Sequence, residues 1–199
     1  MALIDTIIGE SGFEIVKKRI GAILKTELDN QKTLQGFTFP VSVFIDRITP
    51  FDKSEIVIVN VRFDSLNKSN QTQYGSQDSI IYNIDVYATA IQNSTQRGDE
   101  LSSSIRDKFT ALIAAILDSN IYNSLSLDDG LIMSTTVDGI DPYETSNNQD
   151  ANFTTMGRVN YSVRLYQDYK VWEGVLFNQN LTDVKLDLTD LGYKYEIIN

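Results

Sequence analysis

The sequence predicts an α+β domain, a largely antiparallel β-sheet with two helices packed on one face, followed by a C-terminal extension. Three observations predict it. Two segments repeat apolar residues at helical spacing. Five segments alternate apolar and polar residues at every second position, as strands with one buried face do. Their order along the chain is helix, three strands, helix, two strands.

The first helix is set by Phe13, Val16, Ile20, Ile23, Leu24 and Leu28, with Lys17, Lys18, Lys25 and Glu27 on the wet side. Ser11 and Glu14, three apart, form a capping-box signature, and Gly36 and Pro40 close the region. The first strand carries Val41, Val43 and Ile45, the second Val57, Val59, Val61 and Phe63, the third Ile80, Tyr82, Ile84, Val86 and Ala88. Between the last two, residues 65–78 are rich in Ser, Asn and Gln and read as a loop longer than a hairpin needs.

A second helix is expected over residues 99–120. Leu101, Ile105, Phe109, Leu112, Ile116 and Leu117 supply its stripe, and Asp99 and Glu100 sit in its first turn, where carboxylates suit the helix dipole. Ala111, Ala114 and Ala115 are expected to let it approach the sheet closely. The fourth strand alternates through Leu131, Met133, Thr135 and Val137, and the fifth through Val159, Tyr161, Val163 and Leu165. Their connection, residues 141–152, is polar and long. Residues 1–169 thus read as the α+β domain and 170–199 as the extension. The extension holds Trp172, Phe177 and an alternating Val184, Leu186 and Leu188, too apolar for a freely solvated tail.

The 199 residues are 42% hydrophobic, enough for a sizeable core, and carry a formal net charge of -10. Such an acidic balance disfavours sequence-reading DNA binding and anionic membrane surfaces. There is no cysteine and no histidine. Disulfides, thiolate nucleophiles, Cys or His metal sites and histidine-based triads are therefore excluded. The N-terminal stretch has no basic region ahead of its apolar residues, so no targeting signal is expected, and the longest apolar run, residues 111–117, is too short to span a bilayer.

What remains for chemistry is carboxylates. Asp138, Asp141 and Glu144 could offer hard oxygen ligands, but Gly139 and Pro142 make a turn the expected reading, and the spacing departs from the EF-hand loop. Asp128, Asp129 and Gly130 read as a hairpin-like turn. Glu55, Asp64 and Asp85 could be imagined as an acidic nuclease-like cluster. Arg62, Arg158 and Arg164 make cross-strand ion pairing on a wet face the better expectation. No phosphate loop and no nucleophile elbow occurs. No catalytic residue, cofactor or metal ligand is assigned, and the chain is expected not to be an enzyme.

Three stretches carry a family resemblance. One is Tyr82-Asn-Ile-Asp-Val-Tyr-Ala88, a polar loop and Gly98-Asp-Glu100. Another is Ala115-Ile-Leu-Asp-Ser-Asn-Ile-Tyr122. The third is Val137-Asp-Gly-Ile-Asp-Pro-Tyr143, a polar loop, then Met156-Gly-Arg-Val-Asn-Tyr-Ser-Val-Arg164. In these, and over residues 40–167 as a whole, the chain resembles the tail terminators of tailed phages, the family of the lambda tail terminator. The resemblance implies a structural virion protein at the tail–neck junction, assembled in the host cytoplasm. It implies a homo-oligomeric, six-fold ring on the tail tube, which stops tube elongation and offers the head a joining surface. Implied partners are further copies, the tail tube protein and a neck or head-completion protein, with the tail sheath a further candidate. DNA would pass through without specific binding, and no membrane is involved. Another neck or head-completion adaptor is the alternative, and a carboxylate-only metal-dependent enzyme a more distant one. The candidate assembly contacts lie on the two long loops and the extension: Asn67, Asn70, Gln73, Tyr74, Tyr143, Asn148, Trp172 and Phe177.

Overall fold

A computed structural model describes residues 10–48, 55–69, 75–91, 97–127, 130–143, 152–168, 179–185 and 192–198. The chain divides into two compact units, Met1–Asp168 and Tyr169–Asn199.

The first unit is an α+β fold. Its elements are α1 (Gly12–Gln35), β1 (Val41–Ile45), β2 (Val57–Ser69), β3 (Gly75–Ile91), α2 (Gly98–Leu117), a short 3-10 turn (Asn120–Tyr122), β4 (Ile132–Tyr143) and β5 (Asn152–Asp168). The five strands form one sheet in the order β1-β2-β3-β5-β4. β1 runs parallel to β2, and every other pairing is antiparallel. The two helices cover one face. Val16, Ile20, Ile23, Leu24 and Leu28 of α1 and Phe109, Ile113, Ile116 and Leu117 of α2 meet the inward residues of β2, β3 and β5 in a single core.

The helix ends follow their local chemistry. The Ser11 N–H donates to Glu14 Oε2 at 3.0 Å, closing the capping box at the start of α1. That bond, with the Ser11 side chain, holds the Glu14 carboxyl below its ordinary pKa. At the other end Gly36 takes a left-handed φ of 67°, and the Phe37 N–H returns to the Lys32 carbonyl at 3.0 Å. Buried Tyr82, at the centre of β3, donates from its hydroxyl to the Phe13 carbonyl at 2.8 Å and so pins the start of α1 to the sheet.

Several expectations are corrected. Residues 65–78 are mostly strand. β2 runs on to Ser69 and β3 starts at Gly75, because Asn67 and Lys68 find partners in Ser79 and Asp78 across the ladder. α2 ends at Leu117 rather than near residue 120. Ala111 and Ala115 face solvent, and the close approach of α2 is made from the sheet side. A Cβ on Gly157 would lie 2.7 Å from Thr110 Cγ2 and 3.1 Å from Arg106 Cγ. Ile113, absent from the expected stripe, is fully buried. In β4 a register shift between Ile132 and Ser134 turns Met133 outward to 52% exposure, and Ile132 takes the inward place instead.

The second unit contains β6 (Gln179–Lys185) and β7 (Gly192–Ile198), paired antiparallel from Gln179↔Ile198 to Lys185↔Gly192. The extension therefore holds two described strands where the alternation of Val184 and Leu186 pointed to one.

Candidate assembly surface

The face of the sheet away from the helices is built from the alternate residues of each strand. Ladder register sets them in rows. Asn60, Asp85, Arg158 and Asp141 form one row, Arg62, Asn83 and Asn160 the next, and Ile58, Tyr87, Met156 and Tyr143 a third.

These side chains are joined across strands. Arg158 donates to Asp85 through Nε at 2.6 Å and Nη2 at 3.1 Å, and Arg62 reaches the same carboxylate at 3.5 Å. Asp85 is fully buried although it lies on the sheet face opposite α1 and α2, and both guanidinium contacts close on its carboxylate. Its hydrogen bond raises the Arg158 pKa above its ordinary value, and burial with the Asp85 charge raises that of Tyr87. The Arg158 guanidinium also lies 5.4 Å from the centre of the Tyr143 ring. Asn60 holds the turn after β1 at both ends of its amide, accepting from the Arg47 N–H at 2.9 Å and donating to the Arg47 carbonyl at 3.0 Å.

The candidate carboxylates are distributed among separate partners. Glu55 forms a two-point pair with Arg47, and Asp64 accepts from Asn83. Asp138 accepts from the Ser162 hydroxyl and Asp141 from Asn160, so both belong to the edge of β4 rather than to a turn. Glu144, Asp128 and Asp129 lie outside the described residues. Among the described residues no group of three or more His, Cys, Asp or Glu is placed to hold a metal ion, and no helix is long and apolar enough to cross a membrane.

Of the sequence-predicted contacts, Asn67 is exposed on β2 and Tyr143 is 41% exposed at the end of β4. Both belong to the uncovered face, but at opposite ends. Asn67 lies in register with Ser79 and Tyr143 in the row of Tyr87, about 26 Å apart along β3 at ~3.3 Å per residue. Asn70, Gln73, Tyr74, Asn148, Trp172 and Phe177 lie outside the described residues. The cross-strand pairing expected of Asp85 with Arg62 and Arg158 is present, but Asp85 is dry rather than wet, and the pair was not among the expected assembly contacts. Its signal was the pairing of an Asp and an Arg at polar positions of two strong strands.

The two sheet edges differ. β4 carries two register shifts, at Met133 and Asp138, and contains Pro142, all features that blunt an edge. β1 is five residues, Val-Ser-Val-Phe-Ile, with no charge and no register shift. Comparison with known proteins gives no match, either to a protein-family model or to a curated protein.

Proposed function

We propose that the chain is a ring-forming structural protein of a tailed-phage virion, seated at the head-proximal end of the tail tube. There it terminates tube elongation and presents the head-joining surface. One observation supports this reading above others. The three stretches that carry the resemblance are contiguous in space. Tyr82–Ala88 of β3 pairs with residues 155–161 of β5, residues 137–143 of β4 pair with the other side of β5, and the 115–122 stretch ends the helix packed on that sheet.

The surface chemistry is compatible with the role. Polar side chains of the uncovered face hydrogen-bond to one another, which leaves a rigid plate for docking rather than a reactive cleft. A head-to-tail ring needs two different surfaces on each subunit, and the unlike edges β1 and β4 offer them. The net charge of -10 would keep DNA from adhering as it passes through. Further copies, the tube protein and a neck or head-completion protein are the partners the reading requires, with the sheath a further candidate.

Reconstruction of intact particles, with the subunit located by a fused tag, tests the placement. Six copies in a ring at the tail–neck junction are expected. A single copy, or density elsewhere in the particle, would refute the proposal.

A further inference from the structure

We infer that the free edge of β1 accepts a strand from the β6–β7 hairpin of a second copy of this chain. The inference deepens the ring reading and rests on it for the identity of the partner.

The geometry of β1 leads to the acceptor. The Asp46 N–H donates to the Val61 carbonyl of β2 at 3.0 Å. Backbone groups alternate sides along a strand, so Ser42 and Phe44 also turn theirs toward β2. Those of Val41, Val43 and Ile45 turn to the open side. β1 pairs with β2 alone, so these groups have no strand partner among the described residues. Within Val41–Ile45, between Pro40 and Asp46, this edge has no charge, proline or bulge to discourage strand addition, while β4 has both register shifts and a proline.

The occupant follows from the second unit. Its described part is one two-stranded hairpin of seven-residue strands, and such a hairpin is marginal by itself in water. Among the described residues it has no third strand, and β1 is the edge strand of the first unit without charge, proline or register shift. Reach favours a different copy. Asp168 pairs with Gly75, and Ile45 stands level with Ile84 through Val61. The end of β5 is therefore about 30 Å along the strands and about 14 Å across them from the nearest residue of β1. The ten residues 169–178 that separate β5 from β6 reach about 36 Å when fully drawn out. Pairing within one chain would use nearly all of that length, whereas pairing between chains has no such limit.

The absence of cysteine makes the test clean. Chains carrying Ser42→Cys are mixed with chains carrying Thr182→Cys or, for the other strand, Tyr195→Cys, and treated with a short bismaleimide. The expected product is a mixed dimer, lost to the level of a Thr26→Cys control when Val43→Pro is added to the first chain. That proline removes only an outward N–H, so pairing with β2 is retained, which circular dichroism checks. Mixed dimers no more abundant than the control would overturn the inference, as would a link formed only inside a chain carrying both cysteines. Electron microscopy of the same samples separates the two proposals. Closed rings without cross-links would overturn the strand addition and leave the ring standing. Cross-linked open chains that never close would keep the strand addition and remove the ring.

Discussion

The Arg158 guanidinium on β5 grips the Asp85 carboxylate on β3 at two points, 2.6 and 3.1 Å, on the sheet face opposite α1 and α2. The two residues are direct neighbours across the ladder, and Asp85 has no solvent exposure. Removing one member of such a pair strands the other charge.

Arg158→Ala is therefore expected to lower stability by about 3 kcal/mol, the usual cost of leaving a buried charge, here Asp85, unpaired. Arg62, half exposed, compensates little. Urea titration of Asp85→Ala, Arg158→Ala and the double variant measures the coupling, and the double variant should lose less than the sum of the two. A loss below about 1 kcal/mol for Arg158→Ala would contradict the role given to the pair.

Gly157 is expected to tolerate no side chain. Its Cβ would meet Thr110 Cγ2 at 2.7 Å, a branch held in place by the bonds its hydroxyl donates to the Arg106 and Asp107 carbonyls. Gly157→Ala should cost about 1–3 kcal/mol as an overpacked contact, and Thr110→Ser in the same chain should recover part of it by removing the methyl. Thermal melts of the three proteins check this. An undisturbed Gly157→Ala would mean that α2 sits further from the sheet.

Alkaline pH should unfold the domain early. Burial raises the Tyr82 pKa well above its ordinary 10.0 and pushes Tyr161 up to about 12. Between the unfolded and folded values, the folded state keeps the phenolic protons that the unfolded state has lost. Stability is then full below about pH 10 and falls as pH rises through the folded values. Tyr82→Phe and Tyr161→Phe should each flatten that fall. A slope unchanged in both variants would show that other groups govern it.

The central strands were legible because their neighbours on both sides supply the same alternation. Tyr82, Ile84, Val86 and Ala88 all lie in the core as their spacing requires. The edge strand β4 was legible only in part: Val137 packs inward as expected, but the shift at Met133 is one extra residue that period-two reading cannot contain. Nor does alternation encode direction, so the parallel pairing of β1 with β2 was invisible. Asn67 and Lys68, poor strand formers by composition, are held in β2 by long-range partners in β3. At the candidate surface, the sequence placed Asp85 and Arg158 on the polar side and expected them to be wet. Only the register that sets one against the other explains why Asp85 is dry.

The most direct test of the terminator reading is the length distribution of tails assembled without this protein, measured by electron microscopy. Tails of uncontrolled length that fail to join heads are expected, because nothing would stop tube addition or present the joining surface. Tails of normal length carrying heads would contradict it.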